Sequence, residues 1–402
     1  MKAKPLKLEQ TLLAKAKSAH IPALDGIRGL AILMVLMVHF LEIVDPTTGL
    51  QVWLNRVAGY GTMGIDLFFI LSGFLITGIL LDTRDKPNFF RNFFIRRVLR
   101  IFPLYYLILA LFYGVLLFGL DPIARAPYAK ALDAQPWAWT YLFNFFIAKE
   151  GAWTVPYIGH FWSLAVEEQF YMVWPFVVFY LPRGRLIPVC LLLIAASTLC
   201  QVYLEIIGVS PVAIHVLTPC RINALCLGAL LAAWIRRPEV AQADNAVVLR
   251  TATVLALGAI TAKVLLIVVM RLVPAMDKSL EALRALSWLG LFGALHLAAV
   301  ASSAKSLVVR ALTAKPLLFL GKYSYGIYIF HHFLSWPSKF YNTVGQLTEV
   351  IGNQNLAILV NSAVGIGLST FIAWVSFQVF ESRFLKLKDV FAPPIRAVPA
   401  AA

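Results

Sequence analysis

The sequence predicts an all-α integral membrane protein of about ten transmembrane helices, with both termini cytoplasmic and no soluble domain. Three observations lead there. The 402 residues are 60% hydrophobic and only 14% charged, with a mean hydropathy of +0.79, far from a soluble globule. Apolar runs of about 20 residues, the length that crosses a bilayer, recur along the chain. With the N-terminus placed in the cytoplasm, 23 of the 35 Lys and Arg fall in cytoplasmic segments (Arg250 counted at its span's edge), 7 in external loops and 5 inside spans. That split follows the positive-inside rule. The net charge of +15, which in a soluble chain would suggest nucleic acid, is therefore assigned to topology, and nucleic acid is not an expected partner.

The spans are read at 23–44, 58–81, 101–120, 162–181, 186–207, 217–235, 247–273, 285–303, 316–336 and 356–381. Residues 1–22 are basic but lack an apolar core, so they read as a cytoplasmic arm rather than a cleaved signal. Residues 23–385 form the membrane domain, and 386–402 a disordered cytoplasmic tail.

The first span, LDGIRGLAILMVLMVH at 24–39, carries Arg28 and His39. They lie roughly 16 Å apart along a helix axis, on one face. A charge inside a membrane helix is expensive and points to function. The bland alternative has Arg28 snorkelling to a headgroup and His39 capping the far end. The second span holds Asp66 among small residues, Gly61, Gly64, Ser72, Gly73 and Gly78, which suit close helix packing. A buried carboxylate needs a partner; Arg28 or His39 is the candidate, unless Asp66 belongs to a purely structural ion pair.

Arg91, Arg96, Arg97 and Arg100 precede the third span, interleaved with phenylalanines. They are either a lipid anchor or a clamp for the phosphates of a nucleotide or coenzyme. In the loop at 121–161, WAWTYLFNFFIA (137–148) is too short to span. It reads as a re-entrant or interfacial flap with Trp137, Trp139 and Trp153 at headgroup level. The fourth span holds Glu167 and Glu168, with Ser163 one turn earlier on the face of Glu167. Adjacent residues point about 100° apart, so the two carboxylates need different partners. Arg221 in the sixth span is a candidate cation for one of them. Lys263, His296 and Glu381 read as structural. The ninth span ends in His331 and His332 after Tyr323, Tyr325 and Tyr328. That face either hydrogen-bonds a sugar or forms an aromatic belt. Cys190, Cys200, Cys220 and Cys226 fall in apolar spans without ligand spacing, so neither metal nor disulfide is expected.

Taken together and in order, these blocks resemble the acyltransferase-3 family of membrane O-acyltransferases. LDGIRGLAILMVLMVHF resembles its Arg-x10-His signature and GIDLFFILSGFLIT its second-span motif. FFIRRVLRIFPLYY, FWSLAVEEQFY and YSYGIYIFHH are similar to three later blocks. The resemblance covers the whole chain. It implies ten helices and transfer of an acyl group, usually acetyl, from cytoplasmic acyl-CoA to a hydroxyl of a bacterial carbohydrate. It also implies a multi-pass protein of the cell inner membrane. His39 would be the essential His, Arg28 its paired Arg, and Arg97 and Arg100 part of the donor side. Two features depart from the family. No C-terminal hydrolase-like domain is expected here, which leaves open whether this chain alone completes transfer. Glu381-Ser-Arg also stands where Glu followed two later by Pro is usual.

The chemistry follows from this resemblance. A sugar hydroxyl needs a base to attack a thioester, and an imidazole suits neutral pH. His39 is the expected base, its tautomer set by Asp66, Glu167 or Glu168. Arg28 would stabilise the oxyanion or hold the pantetheine arm. Arg96, Arg97 and Arg100, with Ser72, would bind the donor; Ser163, Tyr325, Tyr328 and His331 would bind the acceptor. Acyl-CoA is the donor substrate, with no permanently bound cofactor, and a carbohydrate or lipid-linked glycan and membrane lipids are the partners. A covalent relay through Ser72, Ser163 or Tyr325 ranks below direct transfer. The rival class is a secondary transporter using the same intramembrane charges as an ion pathway; the absence of an internal repeat counts against it.

Overall fold

Each apolar run in the sequence becomes a helix. In the computed structural model, which describes residues 20–41, 46, 48–120, 128–273 and 281–392, there is no strand among the described residues. Ten long helices follow in order: α1 Pro22–Phe40, α2 Gly64–Thr83, α3 Phe89–Gly114, α4 Phe161–Tyr180, α5 Leu186–Ile206, α6 Thr218–Trp234, α7 Asn245–Leu272, α8 Glu281–Ala301, α9 Lys315–Phe340 and α10 Gln354–Ser376. Every predicted span coincides with one of them. The arm before residue 20 and the tail beyond 392 lie outside the described residues.

Eight of the ten are long and apolar enough to cross a membrane, by length and composition. The two that are not are α4 and α9, at 20 and 26 residues. Their length suffices. Their hydropathy is lowered by the residues that matter most below: Glu167, Glu168 and Gln169 on α4, and the Tyr and His of α9.

The core pairs are α1 on α9 and α2 on α6. Both are held at backbone distance by glycine. A Cβ on Gly29 would fall 1.9 Å from the Leu317 carbonyl oxygen, and one on Gly73 would fall 1.9 Å from that of Leu225. Lipid tails are as apolar as Leu, so association in a membrane relies on such close packing rather than on hydrophobic burial. The peripheral pair is α7 with α8; almost none of α7 is buried.

The segment at 137–148, read as re-entrant or interfacial, is packed into the protein. It folds into short helices, Gln135–Trp139 and Phe143–Glu150, whose Ala138, Phe143, Asn144 and Ile147 are fully buried. The Asn144 side chain donates to the Val216 carbonyl (3.2 Å) and to Thr218 (3.0 Å), and Gln169 of α4 donates to the Tyr141 carbonyl (2.8 Å). Non-helical backbone at this depth needs protein partners for its polar groups, and these supply them. Trp153 alone of the three tryptophans is well exposed.

Candidate active site

Helix α3 begins on a basic turn. Arg100 lies one turn from both Arg96 and Arg97, at four and three residues. Close packing of α1 on α9 brings Arg28 to the same place. The result is a cavity of about 210 Å³ whose lining includes Arg28, Arg97, Arg100, Ser72, Ser163, Glu167, Glu168, Tyr171, Tyr325 and Tyr328. Nine of the thirteen residues expected at the site therefore line one cavity.

Two of the three cations there are partly held. Arg28 Nη1 donates to Asp25 Oδ1 at 2.9 Å, one turn earlier on α1. The Arg97 guanidinium sits 5.8 Å from the centre of the Tyr171 ring. Glu167 accepts from the Ser72 hydroxyl and from the Tyr171 hydroxyl, the latter at 2.7 Å. Two buried polar atoms of this lining, Arg97 Nε and Glu168 Oε1, have no hydrogen-bond partner among the described residues. Such atoms are costly unless a ligand or water serves them. Tyr325 is already committed, its hydroxyl donating to the Ile101 carbonyl at 2.6 Å.

A second cavity, of about 340 Å³, adjoins the first and shares Arg97, Arg100 and Ile79 with it. It adds Lys86, Arg96 and Lys388. Arg96 therefore belongs to this outer vestibule rather than to the inner cavity.

His39 is elsewhere. It lies at the other end of α1, with its ring centre 4.9 Å from that of His331 and 5.1 Å from that of His332. His160, immediately before α4, closes the group at 4.9 Å from each of the same two rings. These four imidazoles form a cluster, the imidazole chamber, next to the arginine cavity. The wall between them is the pair Ser163 and Tyr328, whose hydroxyls are 2.5 Å apart and whose residues also line the cavity. Acceptor residues were expected as one set. Instead Ser163, Tyr325 and Tyr328 face the arginines, and His331 faces the chamber.

Asp66 is not beside Arg28 or His39. It is ion-paired with Arg221 of α6, which was expected to meet a glutamate. The close α2–α6 contact decides this, because it sets Asp66 opposite Arg221. Asp66 lines a separate cavity with Lys263, Arg271 and Trp288. It is therefore no orienter of His39. Glu167 and Glu168 line the arginine cavity, whereas the rings beside His39 are those of His331 and His332. His331 and His332 have their tautomers set by backbone, with Nδ1 facing the carbonyls of Tyr328 (2.7 Å) and Tyr157 (3.0 Å). A carbonyl only accepts, so each Nδ1 carries its proton and each Nε2 its lone pair.

Reasoning from the sequence missed His160 and Tyr171. Tyr171 had a local signal, one turn after Glu167. His160 had a weaker one, three residues before Ser163. No group of His, Cys, Asp and Glu among the described residues is arranged to hold a metal ion.

A family model described as an acyltransferase domain matches residues 21–377. The protein YrhL of Bacillus subtilis is 29% identical over 325 residues, covering 78% of this chain and 48% of its own length. The O-acetyltransferase OatA of Staphylococcus aureus is 26% identical over 378 residues, covering 91% and 57%. The peptidoglycan O-acetyltransferase OatA of Listeria monocytogenes is 28% identical over 329 residues, covering 78% and 49%. The chain thus spans about half the length of the curated relatives it matches. No solved structure matches it.

Proposed function

The chain belongs to the acyltransferase-3 family, and from that premise we propose that it is a membrane O-acyltransferase moving an acetyl group from acyl-CoA to a hydroxyl of a cell-wall carbohydrate. The observation that carries the proposal is the pair of joined cavities, one lined by Arg28, the other by Lys86, Arg96 and Lys388, with Arg97 and Arg100 shared between them. An elongated donor with a phosphate-rich head and an uncharged thioester tail is complementary to that arrangement. Guanidinium forks suit phosphate oxygens. Ser72 would hold the donor beside them. The names of the two OatA relatives support an O-acetyl acceptor, and the peptidoglycan named for the Listeria protein supports a glycan.

In this mechanism the phosphates stay in the vestibule and the thioester reaches towards the Ser163–Tyr328 wall. His39 acts as general base on the acceptor hydroxyl. Arg28, bonded to Asp25 at the end of α1 away from His39, holds the donor in the cavity. Glu167, tied to Ser72 and Tyr171, keeps the cavity wall in place. The topology that serves this has ten crossings and both termini in the cytoplasm, in a bacterial inner membrane, so that the arginine end meets cytosolic acyl-CoA. The transporter alternative gives the vestibule's cations no work beyond topology, and the family match lends it no support.

The test is thiol release from acetyl-CoA by protein in nanodiscs, alongside direct binding of acetyl-CoA. Binding with thiol release is the expected result. A folded protein that does not bind acetyl-CoA would overturn the donor assignment.

A further inference from the structure

The hydrogen bonds of the imidazole chamber do not balance. His160 is only 5% exposed, and both of its ring nitrogens are buried without a hydrogen-bond partner among the described residues. His331 Nε2 is in the same condition. The nearby hydroxyls do not help. Ser163 and Tyr328 are bonded to each other, and both reach the backbone carbonyl of His160, at 3.3 and 3.0 Å, rather than its ring. A neutral imidazole carries one N–H and one lone pair. With the Nδ1 protons of His331 and His332 committed to carbonyls, α9 offers only lone pairs to the chamber. His160 and His39 are then the imidazoles there with an N–H to give; the His160 ring approaches the backbone of Ile329, but neither of its nitrogens makes a well-aligned hydrogen bond among the described residues.

N–H donors beside uncommitted lone pairs are the complement of a hydroxyl group, which both accepts and donates. The chamber also touches the donor cavity through a wall one side chain thick, since Tyr328 lines the cavity and its ring centre is 5.1 Å from that of His160.

We propose that the four-imidazole chamber is the acceptor subsite and that His160 is a catalytic residue in it, holding the reacting hydroxyl beside His39. This rests on the acyl-transfer function proposed above. The hydroxyl oxygen accepts from the His160 N–H and points its own proton at His39. With the acyl end carried past the Ser163–Tyr328 pair to the imidazoles, the oxygen's remaining lone pair attacks the thioester carbonyl carbon as that proton passes to His39. The carbon–sulfur bond then breaks, and the departing CoA thiolate takes the proton from His39. An ester and a free thiol result, and every imidazole returns to its starting state.

The experiment compares two small acceptors with acetyl-CoA as donor: glycerol, an alcohol that needs activation, and hydroxylamine, which is nucleophilic without it. Wild type, His160→Ala and His160→Gln are assayed in nanodiscs, with acetyl-CoA binding measured in parallel. The expected result for His160→Ala is a loss of more than a hundredfold with glycerol and of less than tenfold with hydroxylamine. Donor binding should stay within twofold. His160→Gln, whose amide can still donate, should recover at least tenfold of the glycerol transfer, and it carries the comparison if the alanine variant does not fold. Equal losses with both acceptors, no loss with glycerol, or a glutamine variant as poor as the alanine one would overturn the role of His160. A wild type that binds acetyl-CoA yet transfers to neither acceptor would instead overturn the transfer function itself.

Discussion

The arginine cavity and the imidazole chamber share the Ser163–Tyr328 wall and differ in what they can do with charge. An arginine keeps its proton at any working pH, so Arg28, Arg97 and Arg100 can hold an anion but cannot exchange a proton. An imidazole can do the reverse, and the rings of His39, His160, His331 and His332 sit together. Position along the helices keeps the two functions apart. On α9, Tyr325 and Tyr328 reach the cavity, and His331, one turn further, reaches the chamber. On α1, Arg28 and His39 stand at opposite ends of the same pattern. A shared face therefore did not make them partners; it set them in adjacent compartments.

That separation can be broken from either side, and the effects should fall in order. The largest should come from His39→Ala, which removes the base and leaves the cavity intact. Acetyl transfer to an alcohol should drop by about 10²–10⁴-fold, while acetyl-CoA binding, measured by calorimetry, stays within twofold. Loss of binding in this variant would mean that the two compartments are one. Next comes Arg100→Ala. A charge-assisted hydrogen bond is worth about 1.5–3 kcal/mol, so acetyl-CoA should bind roughly 10–100-fold more weakly, with transfer at saturating donor little changed.

Asp66→Asn should act on stability rather than on either compartment. It strips the charge partner from Arg221, a buried cation, and breaking such a pair costs about 3–5 kcal/mol. The thermal midpoint should fall, and the residual folded protein should keep its ratio of transfer to donor binding. A selective loss of transfer would restore Asp66 as an orienter of His39. The smallest effect belongs to Arg96→Ala. Arg96 lines only the vestibule, where it already donates to the Ala392 carbonyl, and a partly solvated ion pair is worth about 0–1 kcal/mol. Donor binding should weaken by less than about fivefold; a loss as great as that of Arg100→Ala would place the phosphates in the vestibule rather than at the shared arginines.

The order of these effects tracks how far each residue could be read from sequence. Arg97 and Arg100 were legible because their meeting depends on helical periodicity alone, three residues apart on one strongly basic turn. Ser72, Ser163, Glu167 and Tyr328 were legible as polar residues at intramembrane depth, where every such group asks for a reason. Their grouping around one cavity was not. The partner of Asp66 went wrong for the same cause: the nearest cation in sequence was chosen, whereas the α2–α6 contact sets it against a cation 155 residues away.

The sequence by itself determined the helices, their number and lengths, and the basic turn of α3, because local periodicity and apolar length decide these without reference to the rest of the chain. Only the tertiary structure decided which buried charges meet. The four imidazoles come from α1, the start of α4 and the far end of α9, and no local pattern brings them together. Glycines do so indirectly, by letting α1 lie against α9 at backbone contact. Helix–helix packing in a membrane is a matter of complementary shape, and shape is a property of the assembled bundle.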